Sequence, residues 1–540
     1  MRTRSGRFVR WASMATSPID HMTRGRLNWW ICLLSISAVL VTPLFLVQIP
    51  PLTDYPNHLA REYVLAFGLH DPIVSAMYSQ RWQIIPNLAI DVVMPWLAHI
   101  VPLYVAGRIM LGLAALLLVL GAAAYHRAAF GRLSFWPLAS GLIAYNGLFL
   151  LGFLNFEVGL GLGLLGAAAW RIWSERRPVL NVFLSAAIST AIFFTHIFGL
   201  VLLFAIIGGL ELDRLLLIRG GVRERLAWVG WTALRLVGFL PPVILSLLSP
   251  IAHAGGPLSW PSVPRKLFLF ISPFLSYDAI TGTAIGALFL AVFCVLLWKK
   301  CLVLAPGARW TLAVLLAVYL VCPSVLNGTA FISDRFPIMV MLMLFAAATP
   351  VGLPVIERSG MIVLLTAMFA IRMGGISAVW YDHNQDLAEM RTVIAPVPAG
   401  ARVLIVSVNP DDNRAYWRSQ PIGRNIRGLM RTDVHLPALL LIERRAFWPQ
   451  MFAAPGKQPI VLRPPFDRLS DVTGIPLSYR LLQNGPSDSS SGQYWADWRH
   501  DFDYVLMLDA GGDPDLDHYL PGQLTLLTQN DMAALFKVVR

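Results

Sequence analysis

Residues 27–49 read LNWWICLLSISAVLVTPLFLVQI, and residues 50–62 continue as PPLTDYPNHLARE. The first run is long enough to cross a bilayer, which takes roughly 20 apolar residues with few or no charges. It is too long for the apolar core of a signal peptide, lacks a small-residue cleavage site and runs into Pro50-Pro51, so it reads as a retained anchor. The second run gathers Asp54, His58, Arg61 and Glu62 directly beyond that anchor.

The rest of the chain repeats the first half of this pattern. Of its 540 residues, 56% are hydrophobic and 14% charged, against roughly 25% charged in an ordinary soluble domain. Apolar stretches at about 106–126, 135–152, 155–172, 179–195, 198–217, 228–249, 279–298, 309–326, 337–356 and 360–378 follow the anchor. The expectation is an α-helical polytopic membrane protein with about eleven transmembrane helices. Residues 87–105, interrupted by Asp91, Pro95, His99 and Pro102, are expected along the interface rather than across it.

A net charge of +12 invites a nucleic-acid reading, but the arginines lie mainly in short loops between apolar stretches. That distribution is an orientation signal, so no nucleic-acid partner is expected. Residues 1–26 form a basic arm with Arg2, Arg4, Arg7, Arg10, Arg24 and Arg26, expected in the cytoplasm. Threading the spans from there puts about nineteen basic residues inside and about six outside. An odd span count then places residues 381–540 outside, beside the outer loop 50–104, with the plasma membrane of a bacterium as the expected location. Cys32, Cys294, Cys301 and Cys322 fall in or beside spans, so neither a disulfide framework nor a cysteine metal site is indicated.

Residues 381–540 have the marks of a small α/β domain. RVLIVSV at 402–408 and YVLML at 504–508 read as buried strands, and the run from His435 to Phe452 as helical. PSDSSSGQ at 486–493 reads as a mobile loop. Asp513, Asp515 and Asp517 imitate the start of a calcium loop, but His518 and Leu524 stand where it needs Gly and Glu. Gly159, Gly161, Gly163 and Gly166 have helix-packing spacing rather than a phosphate loop's context.

The chemistry-bearing residues gather at the outer ends of the spans. A helix starting near Pro56 puts His58, Arg61 and Glu62 on one face with Asp54 at its mouth. The plain account of Asp54 is that it caps that helix. Asn155, Glu157, His196, Asp334 and Arg335 fall at span ends on the same side. Turns between helices are polar in any case, but ionisable groups near hydrocarbon are costly and often functional.

With its first helix, acid-bearing outer loop, many further helices and outer C-terminal domain, the chain resembles the GT-C superfamily of polytopic glycosyltransferases, which includes protein O-mannosyltransferases and aminoarabinose transferases. The resemblance implies a polyprenyl-phosphate-linked sugar as donor and Asp54 as the catalytic acid of the loop. Many members pair two acids there, whereas Tyr55 follows Asp54 and the next acid is Glu62. No metal is therefore assigned. On this reading Asp54 is the base, Arg335, Arg61 and His58 meet the donor phosphate, and Glu62, Asn155, Glu157, His196 and Asp334 line the site. The rivals are a transporter or flippase, for which Arg235 and Arg372 are the in-span candidates, and a non-catalytic scaffold. The first needs ionisable residues near the midplane. The second needs Asp54 to be dispensable.

Overall fold

Inside a bilayer, backbone that leaves the helical form is tolerated only where protein satisfies its N–H and C=O groups. That constraint decides how the apolar stretches are built. The computed structural model describes residues 18–540 apart from 254, 410–412, 427–429, 472–473, 487–492 and 512–515. Arg2, Arg4, Arg7, Arg10, most of the loop at 486–493, Asp513 and Asp515 lie outside the described residues.

Six of the expected spans are helices long and apolar enough to cross a membrane: Gly25–Phe45, Leu103–Phe130, Pro178–Thr195, Val222–Leu248, Ala279–Trp298 and Val355–Ile394. Leu154–Trp173 and Ile197–Leu217 are continuous helices of 20 and 21 residues that carry ionisable groups toward their ends. The remaining three differ from expectation. Residues 135–152 form a 3₁₀ stretch, Trp136–Ile143, and one short turn of helix, Gly147–Leu150. Asn146 makes that break by bonding the free N–H groups of Leu148 and Phe149 at 2.9 and 3.1 Å. The residues at 309–326 are helical only over Ala308–Val321, and those at 337–356 only over Arg335–Ala346. After the latter, Ala348–Pro350 pairs as a strand with Leu302–Leu304.

A buried guanidinium supports this irregular backbone. Arg372, on the last long helix, donates to the carbonyls of Tyr145 (2.6 Å), Leu275 (2.9 Å) and Phe274. All three carbonyls lie in or just after short 3₁₀ stretches, where the chain is not α-helical. Close helix crossings hold the remainder: a Cβ on Gly161 would lie 2.7 Å from Leu117, and one on Gly163 would lie 2.8 Å from the Gly199 carbonyl. The glycine series thus serves packing, as its spacing implied.

The helix Val355–Ile394 is 40 residues long and runs through the boundary expected near Tyr381. A five-stranded sheet follows, in the order Leu477–Ser478, Val403–Ser407, Tyr504–Leu508, Ala533–Val538, Leu524–Gln529. The first three strands are parallel and the last two antiparallel to their neighbours. Both expected strands are present. The expected helix over 435–452 is shorter: the 3₁₀ turn Leu436–Ala438 leads into Leu439–Arg444, which stops because Arg445 takes a left-handed φ of 54°.

These C-terminal residues pack on the stretch that follows the first helix, residues 50–104. Tyr78–Gln80 pairs antiparallel with Ile460–Leu462, Arg445 meets Asp71 at 3.0 Å, and Arg391 grips Glu443, which also accepts from Tyr104 at 2.8 Å. The two therefore lie together on one side of the helices.

Arg372→Met is expected to lower the Tm of the detergent-solubilised protein, because three buried carbonyls lose a charged donor, a cost of about 3 kcal/mol or more. An unchanged Tm would show that those carbonyls have other partners.

Candidate active site

Asp54 stands at the entry of the helix Tyr55–Ala66, where a carboxylate ordinarily bonds the free N–H groups of the first turn. Here it does not. Its own backbone is already right-handed (φ −89°, ψ −10°), proline occupies the first turn, and its side chain makes no capping bond. Asp71 shows the contrast: its backbone is extended, and its carboxylate accepts from Ile73 and Val74 at 2.8 and 3.2 Å. The capping account of Asp54 therefore fails, and its carboxylate, 18% exposed, faces other partners.

The chain break at Asn146 fixes where Asp54 lies. The Asp54 N–H donates to the Leu151 carbonyl at 3.0 Å, and Thr53 donates to Leu150 at 3.2 Å. Gly152, at φ 93°, presses against this strand-like contact. A Cβ there would lie 3.0 Å from the Tyr55 nitrogen and 3.2 Å from the Asp54 Cβ. Glycine is thus required twice, for its φ and for the close approach.

Phe153 follows Gly152, and its ring lies 5.4 Å from the guanidinium carbon of Arg335. Phe198 and Phe156 face the same guanidinium at 4.8 and 5.9 Å. Arg335 is buried in this aromatic box, yet its Nε and one terminal nitrogen find no hydrogen-bond partner among the described residues. Cation–π contact offsets part of the desolvation, but unpaired guanidinium donors in a buried site are costly and fit an anionic ligand. Asp54 and Arg335 thus flank the Gly152-Phe153 step from opposite partners.

The other expected residues divide. Arg61 is turned away from this step: its Nε bonds Asp91, and a terminal nitrogen lies 3.7 Å from Glu62. Burial, then Asp91, pushes the Glu62 carboxyl well above its usual range, and burial raises Asp91 as well against the pull of Arg61. His58 is also turned inward, its ring 5.8 Å from Phe452. Burial, then Arg61 and His435, holds its pKa well below the ordinary value, so it brings no positive charge. Asn155 holds the outer loop by accepting from Ile90 at 3.3 Å and donating to Asn87 at 3.0 Å. Glu157 accepts from Asn146 at 2.8 Å, which ties it to the chain break. His196 caps Ile197–Leu217 through Phe198 N–H at 3.2 Å and packs on Phe156, behind the Arg335 box. Asp334 accepts from Ser333 at 3.2 Å, and its other oxygen is unpaired among the described residues.

Sequence reading missed the residues that the C-terminal domain brings. His435, read there only as the start of a helix, places Nε2 3.4 Å from Asp54 Oδ1. Asn57 crosses the same seam, donating to the Gln450 carbonyl at 2.7 Å and accepting from Phe452 N–H at 2.9 Å. Thr53 donates to the Arg431 carbonyl at 2.8 Å, and Arg431 is itself gripped by Asp433 and Asp509 at 2.9 Å each. Among the described residues, no three His, Cys, Asp or Glu side chains group to hold a metal ion.

A carboxyl whose pKa is raised on folding contributes its stability in full below the unfolded value and loses it as pH climbs through the folded one. Glu62→Gln, neutral at every pH, is therefore expected to match the wild-type Tm below about pH 4, where the carboxyl is protonated both folded and unfolded, and to exceed it increasingly as pH rises from there. Asp91→Asn leaves Arg61 buried without its carboxylate and is expected to destabilise by about 3–5 kcal/mol. A Tm difference between wild type and Glu62→Gln that stays constant from about pH 4 upward would show that the Glu62 carboxyl is not raised.

By sequence, no family model and no curated protein matches the chain. By structure, the chain is similar to ArnT from Cupriavidus metallidurans bound to undecaprenyl phosphate, with a TM-score of 0.51 at 11% identity, over 95% of this chain and 98% of that one. The apo state of the same protein matches over the same shares at 12% identity and a TM-score of 0.49. Arabinofuranosyltransferase AftD from Mycobacteria matches at 16% identity and a TM-score of 0.46, over 94% of this chain and 40% of that one. Spanning both chains almost end to end, the likeness to ArnT shows the fold: this is an integral membrane protein that shares the fold of ArnT.

Proposed function

We propose that the protein is a membrane glycosyltransferase that moves a sugar from a polyprenyl-phosphate donor to an acceptor hydroxyl at the outer face of a bacterial inner membrane, with Asp54 as general base. The observation that carries this reading is the uncapped Asp54 carboxylate set one step of chain, Gly152-Phe153, from a buried guanidinium with unpaired donors. The ArnT structure contains undecaprenyl phosphate, which supports a lipid-phosphate ligand for the shared fold.

The chemistry uses both groups. The acceptor oxygen attacks the anomeric carbon, its proton passes to Asp54, and the carbon–oxygen bond to phosphate breaks with the electron pair leaving on the phosphate. Arg335 meets the charge that develops there, in a site screened from water by Phe153, Phe156 and Phe198. Arg61 and His58, turned into their own cluster, have no part in holding the phosphate.

The transporter reading loses its in-span candidates. Arg372 is committed to three backbone carbonyls. Arg235 lies between the Trp170 and Trp228 rings, 2.9 Å from Thr232 and 3.5 Å from Glu211. Both stabilise the helices where they stand.

Asp54→Asn keeps the size of the side chain and removes the basic carboxylate. Because no cap is lost, the variant is expected to insert and melt like wild type. Its transfer of sugar from undecaprenyl-phosphate-linked donors is expected to fall by roughly 100- to 10,000-fold. Near-normal transfer would remove Asp54 as the base and favour a scaffold.

Arg335→Ala is expected to weaken binding of undecaprenyl phosphate itself, read by ligand-induced stabilisation of the purified protein. Arg335→Lys is expected to recover part of it, since the charge survives but the planar fork is lost. Unchanged stabilisation in both variants would make Arg335 a structural charge.

A further inference from the structure

The Asn57 amide has a fixed orientation. Its oxygen accepts the Phe452 N–H at 2.9 Å, so its nitrogen is the group that donates to the Gln450 carbonyl at 2.7 Å. A flipped amide would set N–H against N–H and oxygen against oxygen. The second hydrogen of that nitrogen faces His435 Nδ1 at 3.3 Å. Nδ1 therefore accepts, and the ring proton sits on Nε2, the nitrogen that lies 3.4 Å from Asp54 Oδ1. The ring is held in place by packing as well: it is buried, with Phe452 edge-on at 5.0 Å and Trp448 at 6.0 Å. A Cβ on Gly474 would lie 2.7 Å from its Cε1, so the backbone there closes the remaining side.

We propose that His435 is a positioning residue of the C-terminal domain, locked by Asn57 as an Nε2–H donor that fixes Asp54 Oδ1 and leaves Oδ2 to take the acceptor's proton. The inference rests on Asp54 being the base and deepens that reading. The opposite arrangement, in which a carboxylate orients a histidine base, needs a free lone pair on Nε2. The Asn57 contact uses the only lone pair of the ring at Nδ1. The spacing of 3.4 Å is long for a hydrogen bond, and a small rotation of the partly open carboxylate closes it when substrate enters. The C-terminal domain is then part of the catalytic apparatus: without its docking, Asp54 has no fixed rotamer.

Three substitutions at one position test this in the full-length protein. Gln places its amide nitrogen near the position of ring Nε2 and keeps a donor for Asp54. Asn reaches only as far as Nδ1 and keeps the Asn57 side of the contact. Ala keeps neither. With undecaprenyl-phosphate-linked sugars as donors, His435→Ala and His435→Asn are expected to lower kcat by roughly 10- to 100-fold, with KM for the donor unchanged. His435→Gln is expected to restore most of kcat. Rescue by Asn but not Gln would mean that His435 only docks the domain, and a full kcat in all three would mean that it does nothing for Asp54; either result overturns the proposal. Should His435→Ala fail to fold, the contrast between Gln and Asn still separates a donor to Asp54 from a docking contact. The Asp54→Asn control separates the two failures: if it is inactive while the His435 variants are not, the base stands and only its positioning residue falls.

Discussion

Asn57 joins the two halves of the molecule. Its side chain lies on the helix Tyr55–Ala66 and makes three contacts with the C-terminal residues, to the buried Gln450 and His435 and the half-buried Phe452. A buried amide left without partners costs more than each bond contributes when made, so these contacts help to specify how the seam closes. Thr53 adds a fourth contact through the Arg431 carbonyl, and the pair of Asp433 and Asp509 holds Arg431 rigid so that this carbonyl has one position. The chain on either side of Asp54 is thus clamped at Thr53 and Asn57, and the residue between them can be neither moved nor exposed without undoing the seam.

The membrane supplies the second constraint on the same point. Helix is the default in hydrocarbon, and the chain leaves it near the site only because Asn146 and Arg372 satisfy the backbone that is freed. The break has a use. It ends in Leu150, Leu151 and Gly152, whose carbonyls and close approach receive Thr53 and Asp54, and in Phe153, which lies against Arg335. A continuous span over these residues would offer no free carbonyl to the outer loop.

Much of this was legible in the sequence and some was not, for physical reasons. Uninterrupted apolar periodicity marks helices such as Leu103–Phe130 and Ala279–Trp298, because lipid accepts little else. The stretch at 135–152 is just as apolar, but its form depends on partners far along the chain, above all Arg372, and hydropathy does not register them. Asp54 and Arg335 stood out as ionisable groups at span ends, which is a property of the residue and its neighbours. His435 did not, because its meaning comes from a contact with Asn57 across hundreds of residues of chain. The face shared by His58, Arg61 and Glu62 was correctly read as a face. What helical spacing could not tell is that the face points into the protein, where Asp91 completes it.

The disposition of charge follows from these constraints. Near the seam there are two kinds of buried cation. Arg61 has the Asp91 carboxylate in contact and Glu62 beside it, so its charge is met within its own cluster. Arg335 has aromatic faces around it, the Asp334 carboxyl beside it in sequence, and two nitrogens without hydrogen-bond partners among the described residues. Placing a carboxylate base close to a cation would normally invite the two to pair and cancel, but Asp54 is drawn toward His435 and Arg335 is enclosed by phenylalanines, so Gly152-Phe153 keeps them apart. That separation is what a transfer reaction requires. On the proposed reading, the base would stay free for the acceptor's proton while the cation stays free for the leaving phosphate.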